Sequence, residues 1–484
     1  MRRALGLAFA SLAIWGCAGS RIDPRDLTGW HAAGSGSVSI LAQGSPEETA
    51  AFAHAIACYD AAFERLLGAP LAPAASTSIA VVRDHELGRR FHLGRGVAGW
   101  ATTALEGEIS FVLAQPSPVA TRHVLLHEYT HLILSRNRRT PLPRWYDEGM
   151  AEYFSTLSIR DGALVVGAIP GDRLHWVVAR DPLPLAILFG ESLPRSGEEV
   201  LDYYATSWAL THYLLSTPEL RRQLSVFVDH LGRGEELDLA REAAFGRSFE
   251  DIERDLGVHL DYLARHVASE VVLDAGSLAI RPGQPPRRLE RPETAQRLGL
   301  LALASVEGNP DGERWLHPAV VTSLLGDAAG ARAQAGFAEG LAIEGRLDRA
   351  RAEIAEAVAA APEDPVVLVR AGRIELAAGA PEAARRVFGR ALERDDGSAA
   401  GWFGLGLALE AIGRAHEAED ALMRARERGW SPWLDLALGR LRLGAGRTEE
   451  ATALLLPLAR APHGGSVSER ARALLEEAGL LEGS

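Results

Sequence analysis

The sequence has no lysine: all 51 basic residues of its 484 are arginine. A bias this uniform, with alanine-rich segments beside it, reads as genomic composition rather than selection for bidentate anion contacts. Cysteine is scarce too, at two residues. Cys17 closes an N-terminal apolar run, and Cys58 alone cannot close a bridge within the remaining chain. Cys58 lies in an apolar helical stretch and is expected to be a small core residue. No later segment is long and apolar enough for a transmembrane helix. A basic face is also missing. The net charge of −13 argues against a general nucleic-acid binder and says little about a substrate. What is present is ordinary: 47% hydrophobic and 24% charged residues suit a globular chain that buries its core. At this length two or three domains are expected.

The N-terminus carries an address. Met1-Arg2-Arg3 is a basic start, and Ala4 to Gly16 is apolar but too short to span a bilayer. It ends at Cys17-Ala-Gly-Ser. This resembles a bacterial lipoprotein signal, cleaved before the cysteine, whose thiol then takes the lipid. Trp15 departs from that pattern, where a small residue is usual. An ordinary secretory signal cleaved nearby is the other reading. The resemblance implies signal 1–17, lipidation at Cys17 and a membrane held through the lipid. The location it implies is the outer membrane facing the periplasm, or otherwise the periplasm or the medium. Residues 18–36, small and glycine-rich, are expected to be a tether.

Beyond the tether, strands are expected at 38–42, 79–82 and 108–113. A helix from about 45 to 67 opens with the Ser45…Glu48 capping pattern. A glycine-rich excursion fills 88–107, either a cleft cover or an ordinary loop. Helices follow at 119–135, 143–158, 199–216, 218–231 and 248–268. Strands then helices make an α+β pattern for 37–270. The Pro/Gly-dense run from Arg281 to Pro292 cannot be a regular helix, so 271–292 is expected to be a linker.

Then the sequence repeats. Ala350, Ala384 and Ala418 are 34 apart, as are Ala357, Ala391 and Ala425. Ile354, Phe388 and Leu422 hold the large slot between them. Gly372 and Gly406 open two units, Trp402 takes an aromatic slot, and Gly439 and Ala451 mark a weaker fourth unit. This resembles the tetratricopeptide repeat, a helix-turn-helix unit of about 34 residues. It implies an all-α solenoid over 331–470, a helical cap or divergent repeat at 293–330 and a tail at 471–484. Such arrays present a surface to protein partners, though here they could merely cap the domain before them.

The chemistry sits in His127-Glu128-Tyr129-Thr130-His131. Histidines at i and i+4 share a helical face and can reach one zinc ion at about 2.0–2.1 Å. Glu128 beside them can take a proton from an attacking water and return it to the leaving amine. A third ligand is needed, and a helical carboxylate arrives at Glu148, 17 residues after His131, with Glu152 one turn further on. His123 sits a turn earlier. Three histidines on a straight helix span about 12 Å, too far for one ion, so His123 is expected to be structural or cleft-lining.

HEYTH followed by PRWYDEGMAEYF resembles the gluzincins, the thermolysin- and aminopeptidase-like zinc peptidases. It is similar, more narrowly, to bacterial peptidase MA-like domains. The resemblance implies a zincin-like fold, one Zn2+ on His127, His131 and Glu148, and Glu128 as the base. It makes Glu152 a neighbour that holds a ligand histidine by its other ring nitrogen. The run Tyr203-Tyr204-Ala-Thr-Ser207 is similar to the helix that supplies a tyrosine donor for the oxyanion. Tyr204 matches better, Tyr203 next, and mere packing of either stays open. His212, two turns on, is expected to pack in the core. In this fold the strand before the motif helix is a sheet edge that can pair with an extended peptide.

The expected protein is therefore an envelope-anchored zinc peptidase acting on peptide or protein substrates, with repeats behind it that could hold a protein partner. The competing readings are a non-catalytic envelope scaffold with a structural or vestigial zinc site, and a zinc hydrolase of something other than peptides.

Overall fold

The computed structural model describes residues 22–68, 71, 76–91, 93–94, 97–105, 107–137, 143–169, 171–189, 197–233, 235–266, 270–307, 318–326, 328–459 and 465–481. The signal segment, Cys17 and tether residues 18–21 lie outside them.

Trp30–Ser35 (β1) and Val38–Gln43 (β2) form a tight hairpin at Gly36, whose φ of 58° suits glycine. Ser45 then accepts a hydrogen bond from the Glu48 N–H at 3.1 Å and starts Pro46–Leu67 (α1). That helix ends on left-handed Gly68. It returns the chain to Thr77–Val82 (β3), parallel to β2. After the short helix His85–Arg90 (α2), Gly99–Ala104 (β4) and Gly107–Leu113 (β5) make a second hairpin, with β5 parallel to β3. The six-stranded sheet has the order β4-β5-β3-β2-β1-β9, where β9 is Gln284–Arg288.

Three expectations change here. Residues 22–36 are not tether, because β1 is an inner strand and Trp30 is fully buried. The excursion at 88–107 holds a strand. That strand, β4, is the sheet edge, so β5 is interior and not the edge expected before the motif helix.

Side chains alternate across the sheet and build two cores. One face sends Ile40, Ile79 and Val112 against α1 and against Pro118–Asn137 (α3), with Arg144–Ser155 (α4) behind it. After α4 come Ser158–Arg160 (β6) and Ala163–Val166 (β7). Six helices follow: Gly171–Arg180 (α5), Leu185–Leu188 (α6), Gly197–Leu215 (α7), Pro218–Gly232 (α8), Leu237–Phe245 (α9) and Phe249–Arg265 (α10). Val271–Asp274 (β8) completes a three-stranded sheet in the order β6-β7-β8.

The other face sends Trp30, Leu41, Val82 and Phe111 against two helices, Arg291–Glu307 (α11) and Pro318–Leu325 (α12). Leu298, Leu303, Val321 and Leu324 are fully buried in that core. At about 1.5–3 kcal/mol for each such side chain, this seam is part of the fold. The expected linker at 271–292 is thus two strands. Pro285 and Pro286 forbid helix there, but β9 is an edge strand, where proline is tolerated.

The chain continues as helix pairs: Ala331–Ile343 (α13) with Leu347–Ala360 (α14), Pro365–Ala377 (α15) with Pro381–Arg394 (α16), Ala399–Ala411 (α17) with Ala415–Arg428 (α18), and Pro432–Gly444 (α19) with Thr448–Ala459 (α20). Gly465–Glu477 (α21) closes the stack, so residues 471–477 are not tail: Ala471 and Leu475 are buried against α19 and α20. Ala350, Ala384, Ala418, Ala357, Ala391 and Ala425 have no exposed surface. A Cβ added at Gly372 or Gly406 would stand 2.7 Å from Phe388 or Leu422, so glycine allows the close approach there. Leu105, on the β4–β5 turn, packs against the repeat clusters around Phe388 and around Leu422. Among the described residues no helix is long and apolar enough to cross a membrane.

Candidate metal centre

The helix α3 has apolar flanks on both sides of the motif, and Leu125, Leu126, Leu132 and Ile133 are buried. This buries one side of the helix and turns His127 and His131 toward α4. The helix α4 crosses in front of it and is buried along nearly its whole length. Gly149 makes that position possible. An added Cβ would stand 2.5 Å from the Ser207 carbonyl oxygen of α7 and collide with the Thr211 hydroxyl.

Three ligand atoms, one each from His127, His131 and Glu148, lie within 4.8 Å of one another. Glu148 Oε2 is 3.5 Å from His127 Nε2 and 3.8 Å from His131 Nε2. A tetrahedral zinc with bonds near 2.0–2.2 Å separates its ligands by about 3.4 Å. The donor set and its spacing fit that ion. His123 lies outside the group.

Both histidines present Nε2 inward, so their Nδ1 atoms face outward. His131 Nδ1 is 3.0 Å from Asp147 Oδ1. Burial opposes a charge on His131, yet Asp147 and Glu148 outweigh it and raise the group to about 10 in the metal-free site. His127 is raised as well, against its burial, chiefly through Glu148. His127 Nδ1 lies 3.9 Å from Glu152 Oε1. Glu152 is held instead by Arg173, at 2.7 and 3.1 Å. The carboxylate that touches a ligand imidazole at hydrogen-bond distance is therefore Asp147. Glu152 stands behind His127 at longer range.

Glu128 is buried, and burial pushes its carboxyl above the usual range. The edge strand β4 lies over it. A Cβ added at Gly99 would sit 2.8 Å from Glu128 Oε1. Thr103 and Ser135 tie β4 to α3 at 3.2 Å.

The two tyrosines separate cleanly. Tyr204 Oη donates to Glu148 Oε1 at 2.7 Å, and its ring stacks on that of His127 with centroids 6.4 Å apart. Tyr203 is buried and its hydroxyl reaches the Leu188 carbonyl at 3.5 Å. Tyr204 is thus the tyrosine at the site. His212 is in the core, between His259 at 2.9 Å and the Gly167 carbonyl at 3.1 Å.

Asp147, Arg144, Arg173 and Gly99 were missed in the sequence. Asp147 and Arg144 stood inside the quoted motif. Arg173 and Gly99 had no local signal.

The tetratricopeptide-repeat family matches residues 341–405. The C-terminal helix pairs are tetratricopeptide repeats. Among similar solved structures, a thermophilic repeat protein of Thermus thermophilus is 21% identical, covering 39% of this chain and 100% of its own, with a TM-score of 0.32. YrrB, a repeat protein with an unusual peptide-binding site, is 18% identical, over 37% of this chain and 91% of its own, at 0.27. MamA from Desulfovibrio magneticus is 15% identical, over 37% of this chain and 96% of its own, at 0.26. No curated protein matches the chain.

Proposed function

We propose that the N-terminal sheet-and-helix region is a zinc-dependent peptidase and that the repeats bind a protein partner. The observation that carries the first half is the group of His127, His131 and Glu148 beside a buried Glu128. His127, His131 and Glu148 would hold the ion. Zinc supplies a Lewis acid that polarises a scissile carbonyl and makes water nucleophilic near neutral pH. Glu128, whose raised pKa brings it nearer that range, accepts the proton of the attacking water and delivers it to the leaving amine. Asp147 fixes the ring of His131, and Glu152 stands behind His127. Tyr204 offers its hydroxyl to the oxyanion. The edge strand β4, beside Glu128, offers an unpaired backbone to an extended peptide. The N-terminal segment resembles a lipoprotein signal, and a lipid on Cys17 would hold the chain in a bacterial envelope.

A second reading has support of its own. The family match over residues 341–405 is to a protein-interaction repeat, which favours a scaffold that binds partners; in that reading any zinc would be structural. Among the described residues the group offers three ligands beside an intact base, which speaks for catalysis, because a structural zinc is closed by four protein ligands.

One experiment separates them. The purified mature chain is profiled on a peptide library, with and without a chelator, beside Glu128→Gln. The peptidase reading expects chelator-sensitive cleavage that Glu128→Gln lowers by at least about 10²-fold while keeping zinc. A Glu128→Gln variant as active as wild type sinks the mechanism. Absence of chelator-sensitive cleavage removes the peptidase reading.

A further inference from the structure

Tyr204 has one hydroxyl proton and two claims on it. In the structure the proton goes to Glu148 Oε1, at 2.7 Å. In the reaction proposed above it goes to the substrate oxyanion. The Glu148 side chain is 2% exposed, so no bulk water stands ready to replace that donor. A buried carboxylate oxygen that loses a donor bears its desolvation cost.

Arg144 is placed to meet it. It lies one turn before Glu148 on α4, and its Nε is 3.9 Å from the same Oε1. That is too long for a hydrogen bond and short enough for a small side-chain movement to close. Among the described residues Arg144 Nε makes no hydrogen bond, and the arginine also acts on the Tyr204 hydroxyl, so it already stands at the Tyr204–Glu148 contact. The guanidinium lies over the Tyr203 ring, 5.4 Å from its centroid, which keeps it on the Oε1 side of the carboxylate. Among the described residues, Arg173 also stands near the site and is paired with Glu152.

We propose that Arg144 is a positioning residue that takes over Glu148 Oε1 when Tyr204 turns to the substrate. Glu148 then keeps Oε2 alone toward His127 and His131 throughout the cycle. The arginine is always charged, so the bond it forms is charge-assisted and stronger than the one Tyr204 gives up. Two donors for one oxygen make Tyr204 and Arg144 interchangeable with respect to the metal. The inference rests on the peptidase reading for the second role of Tyr204.

A double-mutant cycle on zinc affinity tests it, read by chelator competition on the whole chain. Tyr204→Phe and Arg144→Gln are each expected to weaken zinc by about 3-fold or less, because the remaining donor covers Oε1. Together they are expected to weaken it by roughly 30-fold or more, in the range for outer partners of a ligand. A double variant no weaker than the product of the singles overturns the proposal. In the Tyr204→Phe background, Arg144→Lys keeps the cation and the apolar stem over Tyr203, and zinc is expected to stay within about 5-fold of wild type. A loss as large as that from Arg144→Gln overturns a role for the charge. On a cleavable peptide, Arg144→Gln is expected to lower kcat while leaving KM within about 2-fold. A wild type that binds zinc and cuts no peptide refutes the peptidase reading and leaves the cycle readable.

Discussion

In the proposed zinc site, protons and the metal compete for the same imidazoles. In the metal-free site His131 stands at about 10, against an ordinary 6.5, because Asp147 and Glu148 outweigh its burial. A group raised on folding stabilises the fold fully below its unfolded value, and that stability is lost as pH rises through the folded value. The metal-free protein should therefore lose stability between about pH 6.5 and 10. Zinc runs the other way, since it needs the imidazole neutral. At pH 7.5, about 2.5 units below that value, removing the His131 proton costs roughly 3 kcal/mol. Each pH unit gained returns about a tenfold increase in zinc affinity until the group titrates. His127, also raised, should steepen the lower part of the curve. The assay is competition with a chromogenic chelator at pH 7, 8 and 9, corrected for the chelator's own protons. Asp147→Asn should flatten the slope above about pH 7 and weaken zinc at pH 9 by roughly 10–100-fold, since His131 loses the partner that orients it. A wild-type affinity that is flat from pH 7 to 9 would refute either the ligand role of His131 or the carboxylate control of its charge.

Gly149→Ala should cost about 1–3 kcal/mol, because α4 must move off the Ser207 carbonyl of α7. Glu148 is its neighbour, so zinc should weaken with the melting temperature although no ligand is altered. A variant that melts and binds like wild type would show that the crossing has slack. Leu105→Asp puts a charge against the apolar clusters of the repeats and should destabilise that contact by about 1–3 kcal/mol. Limited proteolysis should then cut faster near the β4–β5 turn, and an unchanged pattern would mean that the turn does not hold the array.

The helices were legible where one face was apolar and a cap or breaker marked the end. Ser45 and Gly68 bound α1, and the 34-residue spacing placed the alanines and glycines of the repeats. The strands were legible where β-branched residues were dense, as in β3 and β5. The missed strands break that pattern for physical reasons. In β1, Trp-His-Ala-Ala-Gly-Ser is small and buried on both faces, so no polar alternation survives. In β4, glycine stands where Glu128 leaves no room, so a packing constraint looks like loop composition. In β9, prolines that end a central strand are tolerated at an edge, and the apparent boundary becomes part of the sheet.

The site divides the same way. His127 and His131 could be placed from spacing, because helix geometry fixes which side chains share a face over one turn, whereas Glu148, on the next helix, was chosen over Glu152 through the family resemblance. The roles around them could not, because they depend on which helix crosses which. Glu152 is spaced to support a ligand, yet Arg173, from a helix that sequence reading did not find, holds it. Asp147, beside Glu148, points to the other imidazole instead. Arg144, which the sequence reading passed over, is half-buried over the Tyr203 ring with its Nε 3.9 Å from Glu148 Oε1. Four carboxylates, Glu128, Asp147, Glu148 and Glu152, thus surround two histidines, with two arginines placed behind and not among them. That distribution leaves the centre short of positive charge while holding its outer oxygens in place. That is the charge distribution the proposed zinc site requires, since a divalent cation would supply the positive charge the centre lacks.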